Sequence, residues 1–359
     1  MKIFSFLTKV SAAALAAATI LCCTSCSDTS WVVSAGEDTV SAGIYLGYLV
    51  DAYYSAATMA TDTSADLFDQ KIENMDADDY IRSAAMQSCK KHIAINRLFD
   101  EYKLSFTDEE AEDLQASVDS IWGNISSIYE ENGCGKTSFT KIMEIEDKHQ
   151  KIFEYYYSED GKETVTEKER KEFFSKNYAK FKFINVSYSS HFSGVSSSSD
   201  ASEAQKAELK EIAENYVTRL NNGEDIDALI AEEEAAGSKE TEHTHKDSEE
   251  KEEVEEVAAS FLQKDTSDDP DEFNKAVFEA KLNTPTMIEN TTYGYYVLVR
   301  YETDADSEDY SERESSVLSA MKSEDFEEIV KKASDEIKVT ENSSAIKRYK
   351  PQNVDLNIQ

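Results

Sequence analysis

Proline and glycine are scarce, three and eleven in 359 residues, so little interrupts long helices. Basic residues are also few. Lysine and arginine total 37 against 73 acids, a formal charge of −36. Nucleic-acid phosphates require a basic face, so nucleic acid is excluded as a partner. The acidity serves solubility and self-repulsion, and it suits basic or partly unfolded partners. Five cysteines make no disulfide framework, and no Cys or His spacing matches a metal site. No metal or cofactor is expected. There is no G-x-S-x-G elbow and no H-E-x-x-H. Gly135-Lys136-Thr137 resembles part of a phosphate loop, but Glu130 stands where its first glycine is needed. Five histidines offer few bases; Ser190 beside His191 is adjacency, not triad geometry. No catalytic residue is named.

What is there begins with a leader. Lys2 and Lys9 precede an apolar run from Val10 to Leu21, too short to span a membrane. "LCCTSCSD" follows and resembles the end of a bacterial lipoprotein signal, in which a cysteine after small residues receives the lipid. Leu21 before Cys22 is too large, and Cys23 remains possible. Cys26, behind Thr24 and Ser25, is the expected lipidation site, although Cys23 stands where a leucine is usual. An ordinary cleaved signal is the alternative. A two-chain lipid would hold the protein at a membrane surface. Cys89 and Cys134 then remain, and their spacing does not say whether they pair.

Residues 31–40 read as two short strands around Ala35-Gly36-Glu37-Asp38. Helices are expected at about 41–59, 78–103, 107–129 and 138–157, with 61–75 a loop. Thr107 with Glu110, and Thr166 with Glu169, are capping boxes; the second opens a short helix to Asn177. The pattern changes at "AKFKFINVSY", residues 179–188, a strand. A serine-rich loop, a helix over 202–220 closed by Gly223, and a shorter helix "DIDALIAEEE" follow. Residues 232–256 hold twelve acids and three lysines, a net −9, and read as a solvated loop. His243 and His245 fall there by chance. Pro270 opens a helix carrying "FNKAVFEA". "LNTPTMIEN" leads through a turn and short strand into "YGYYVLVRY", the most strand-like stretch of the chain. From 180 to 302 the expected order is β, α, α, α, β, β. A helix over 310–336, broken near Ser323, and two short strands or extended segments end the chain.

This order and these segments resemble the extracytoplasmic foldases of the PrsA and SurA type, over nearly the whole chain after the leader. Family members open with a hairpin and helix like "GEDTVSAGIYLGYL" and reach a parvulin-type prolyl isomerase through a helix like "VTEKERKEFFSKNYAKF". "LNNGEDIDALIAEEE", "FNKAVFEAKLNTPTMIE" and "YGYYVLVRY" resemble its later pieces. The resemblance implies an α+β protein. A mainly helical, SurA-like chaperone domain surrounds an inserted parvulin-like domain. The expected divisions are a signal peptide over 1–25, a helical domain with an N-terminal hairpin over 26–177, a parvulin-like domain over 178–303 with the acidic insertion 232–256, and a returning helix and strand over 304–359.

Active members carry one histidine at the start of the first strand and one in the last. Phe183 and Tyr296 stand at those places. The family's glycine-rich segment with its Cys or Asp is replaced by the acidic run. Phe273 matches the aromatic of the proline pocket, and Phe278 a core position. Phe183, Phe273 and Tyr296 are therefore substrate-groove candidates, and Tyr295 is expected in the core. The resemblance implies a lipid-anchored, extracytoplasmic chaperone or foldase for unfolded or partly folded exported polypeptides, with weak or missing isomerase activity. The alternatives are an active parvulin-type isomerase and a non-enzymatic envelope-binding lipoprotein. No alternating βαβ pattern supports a two-lobed solute-binding protein.

Overall fold

A computed structural model describes residues 30–237, 257–267 and 271–356. The leader with Cys26, most of the acidic run with His243 and His245, and Pro270 lie outside them. The chain folds as α+β and divides into two compact units. One reaches to Thr164 and resumes at Lys322; the other is Val165–Met321.

The first unit opens with the hairpin β1 (Trp31–Ala35) and β2 (Asp38–Ser41), paired antiparallel with Val33 opposite Val40. Gly36 makes the turn at φ +72°. Ser41 then caps α1 (Ala42–Met59) by accepting from Ile44 N–H. The expected loop beyond it holds a second small hairpin, β3 (Lys71–Ile72) and β4 (Met75–Asp76), turned by Glu73 and Asn74 at positive φ. Three long helices follow: α2 (Ala77–Glu101), α3 (Asp108–Glu131) and α4 (Lys136–Tyr157). Thr107 and Glu110 close the expected capping box on α3. Tyr45 and Leu49 of α1 meet Ile81, Ala85 and Ile93 of α2 in the main core. Trp122, Phe139 and Cys134 form a smaller cluster between α3 and α4. Cys89 and Cys134 are both free and buried.

His92 of α2 is 7% exposed, with Nδ1 3.0 Å from the Tyr48 hydroxyl. Burial, reinforced by Lys148, holds its pKa down to about 4. In the unfolded chain the imidazole titrates near 6.5 (roughly). Protonation between these values therefore favours the unfolded chain. The stabilisation is complete above pH 6.5 and is lost as pH falls towards 4, by about 3 kcal/mol. Urea unfolding at pH 7.5 and 4.5 checks this. His92→Gln is expected to lose that component of the pH dependence; an unchanged dependence would refute the assignment.

In the second unit, α5 (Glu167–Asn177), with its Thr166–Glu169 capping box, feeds directly into β5 (Tyr178–Ser187). Next come α6 (Tyr188–His191), α7 (Glu203–Asn221) and α8 (Ile226–Gly237). Strand β6 (Ser260–Gln263) precedes α9 (Glu272–Glu279), β7 (Thr286–Asn290) and β8 (Gly294–Tyr301). The four strands form one antiparallel sheet in the order β6-β5-β8-β7. β6 was not expected from the sequence. The serine-rich segment begins as the short helix α6 rather than as a loop.

After β8 the chain forms α10 (Glu308–Ser311) and α11 (Glu314–Asp335). The break falls at Glu312 and Arg313, not near Ser323. β9 (Thr340–Glu341) pairs with β1, giving the order β2-β1-β9. The second expected extended segment is instead α12 (Ser343–Arg348), because the Asn342 side chain accepts from the N–H groups of Ser344 and Ala345. Among the described residues, no helix is long and apolar enough to cross a membrane.

Candidate functional site: an aromatic groove on the sheet

Strand alternation assigns the two faces of the sheet. Ile184 and Val186 of β5, with Tyr295, Val297 and Val299 of β8, bury themselves against Leu209 and Ala213 of α7 and Leu229 of α8. Tyr295 is 8% exposed and belongs to this core. The other face carries Phe181, Phe183 and Asn185 of β5, Tyr296 and Leu298 of β8, and Ile288 of β7. Helix α9 lies on it, setting Phe273, Val277 and Phe278 against Phe181 and Leu298.

Phe183, Phe273 and Tyr296 stand together there. The Tyr296 ring is 5.0 Å from Phe273 and 5.7 Å from Phe183, both near edge-to-face at 64° and 77°. Phe181 closes the ring of contacts, 5.9 Å from Phe183 and 6.0 Å from Phe273. Each such pair contributes about 0.5–1.5 kcal/mol beyond burial. Leu298 beneath is fully buried, while Phe183, Phe273 and Tyr296 are half-buried. Asn185, directly across from Tyr296, is exposed. Phe183 sits in mid-strand rather than at the strand's start, so its backbone is fixed by the ladder to β8.

Two polar anchors hold α9, and with it Phe273, in place. At its start, Asn274 is buried; it donates to Gln263 C=O at 2.7 Å and accepts from Asp265 N–H at 3.0 Å. Asp271 caps the helix by accepting from Asn274 N–H at 2.9 Å. At its end, Arg300 of β8 donates to Phe278 C=O at 2.5 Å and lies over the Phe278 ring. A cation at a helix C-terminus is favourable. Neither Asn274 nor Arg300 was picked out from the sequence. The available signal was the side-chain capping pattern around Asp265 and Asp271.

No imidazole reaches the groove among the described residues. His191 is the histidine described in this unit, and its Nε2 lies 2.8 Å from Glu233 of α8, on the other face. Glu233 is buried and also accepts from Tyr216 at 2.9 Å, which with burial raises the Tyr216 pKa. Ser190 bonds Ser187 at 2.7 Å, so Ser190 and His191 have different partners. No group of His, Cys, Asp and Glu able to hold a metal occurs among the described residues. The groove offers apolar walls, the Tyr296 hydroxyl, able to donate or accept, and across from it the exposed Asn185 amide.

The chain is similar to solved structures of PrsA foldases. Against foldase protein PrsA from Lactococcus lactis the identity is 14%, covering 88% of this chain and 96% of that one, with a TM-score of 0.35. For PrsA from Bacillus subtilis the values are 17%, 72% and 86%, with a TM-score of 0.29. For a structure described as peptidylprolyl isomerase (PrsA) from Bacillus cereus they are 16%, 77% and 94%, with a TM-score of 0.28. No protein-family profile and no curated protein matches the chain. Likeness at these TM-scores decides nothing about the groove, whose reading rests on its own residues.

Proposed function

We propose that the protein is an extracytoplasmic chaperone of the foldase type, anchored through lipid on Cys26. It holds unfolded or partly folded exported polypeptides, and its prolyl-isomerase-like unit has weak or missing catalysis. The observation that carries this reading is the half-exposed cluster of Phe183, Phe273 and Tyr296, with apolar walls and, among the described residues, no imidazole. Rotation about a prolyl bond meets a barrier of about 18–20 kcal/mol set by amide resonance. A catalyst must favour the twisted amide over the planar one. Aromatic walls that grip the proline ring supply part of this preference, and polar groups acting on the carbonyl supply the rest. Among the described residues, this face offers the twisted carbonyl the Tyr296 hydroxyl and the Asn185 amide, without the paired nitrogens of an imidazole. The net charge of −36 keeps a complex with an apolar client soluble.

The test is suppression of aggregation. The full chain, mixed at equimolar ratio with a reduced, unfolded secreted protein, is expected to abolish most of its light scattering. Unchanged scattering would remove the chaperone reading.

A further inference from the structure

Among the described residues, the sheet of the second unit has an incomplete edge. β6 covers β5 only from Tyr178 to Phe181. The bond from Tyr188 N–H to Tyr293 C=O, 3.0 Å, continues the β5–β8 ladder. It places the peptide groups of even-numbered β5 residues against β8. The bond from Lys264 N–H to Asn177 C=O, 2.7 Å, places those of odd-numbered residues against β6. Beyond the end of β6, Phe183 and Asn185 therefore direct their N–H and C=O groups to the side of β5 away from β8. Among the described residues no backbone group pairs with them. A cavity of about 710 Å³ lies along this edge, lined also by Ile230, Val257, Lys182, Glu233 and Glu234; Lys182 pairs with Asp227, and Glu233 with His191 and Tyr216.

We propose that this edge takes an extended, basic polypeptide segment of another protein as an added β-strand beside Phe183 and Asn185. Two N–H and two C=O groups spaced along a strand are complementary to extended backbone and not to a helix. The chain's charge of −36 selects lysine or arginine side chains. Alternate side chains of the added strand fall next to Phe183, on the aromatic face. Backbone pairing reads no particular sequence, as a holder of many clients requires. The inference rests on the reading of this unit as a polypeptide-binding module and adds how the client's backbone is held.

The probe is an octapeptide of alternating valine and lysine, titrated into the full chain by fluorescence anisotropy. Two further forms carry N-methyl groups on one or the other alternate set of residues. One methylated form is expected to bind at least tenfold more weakly and the other within twofold of the parent. Bound parent peptide should slow amide exchange at Phe183 and Asn185. Asn185→Pro removes an N–H that faces away from β8, so the β5–β8 ladder survives. It is expected to weaken binding at least tenfold, whereas Asn185→Ala should not. Should Asn185→Pro fail to fold, the methylated peptides decide alone. Equal binding of both methylated forms, or no binding of the parent, overturns the proposal. Equal binding of both together with a loss on Tyr296→Ala overturns strand addition and keeps the aromatic groove. A methylation effect indifferent to Tyr296→Ala keeps strand addition and removes the groove.

Discussion

Removing the Phe273 and Tyr296 rings together is expected to weaken binding of an unfolded, proline-containing polypeptide about a hundredfold. Both rings are half-buried and face the open side of the groove, so a client side chain completes their burial. Covering an aromatic side chain is favourable by about 1.5–3 kcal/mol when complete, and these two rings are partly covered already. A combined loss of roughly 2.7 kcal/mol corresponds to a hundredfold. The double variant, Phe273→Ala with Tyr296→Ala, keeps Leu298, Val277 and Phe181 beneath the groove, so the unit stays folded. Isothermal titration against a reduced, unfolded protein measures the loss, with circular dichroism to verify the fold. Tyr296→Phe separates hydroxyl from ring and is expected to retain most of the affinity. Affinity within threefold of the original for the double variant would remove these residues from the binding surface.

Gly294→Ala is expected to destabilise the second unit by about 4 kcal/mol, among the largest effects a single substitution produces. Gly294 has φ +138°, a region costly for any residue with a side chain, by about 1–3 kcal/mol. An added Cβ would also lie 2.3 Å from Val186 C=O and 3.1 Å from the Ser187 Cα. Both are backbone atoms of β5, held in register by the pairing of Ser187 with Gly294. Relief requires pulling β8 from β5 at the end of the sheet that carries Tyr296. Gly123 of α3 is the control: nothing lies within 4 Å of an added Cβ, and alanine suits a helix better by about 1 kcal/mol. Urea unfolding measures both. A Gly294→Ala protein as stable as its parent would contradict the register on which the groove is built.

Local signals carried much of this fold. The boxes at Thr107 and Thr166 close as written, because a cap is decided within four residues. The runs at 178–187 and 294–301 became the central strands, because aromatic and β-branched residues favour a pleated, buried surface. β6 carries no such local signal. Its four residues are only partly buried or exposed, and their partners, Tyr178–Phe181, lie far back in the chain. α12 differs from the expected extended segment because Asn342 redirects "SSAIKR" into a helical turn, against the strand just before it. For the groove, Phe183, Phe273 and Tyr296 came together through a family resemblance; no spacing in the sequence brings them near. What holds them, Asn274 and Arg300, is long-range hydrogen bonding that a linear pattern does not display.

Exchange spectroscopy on a proline-containing peptide, with the full chain added, tests the central claim most directly. It reports binding and cis–trans turnover in one sample. The account predicts that peptide resonances shift on binding while the exchange rate stays within about twofold of the free peptide's, at tens to hundreds of seconds. Strong acceleration by the unaltered protein would contradict it and make the Tyr296 hydroxyl and the Phe273 ring parts of a working isomerase site.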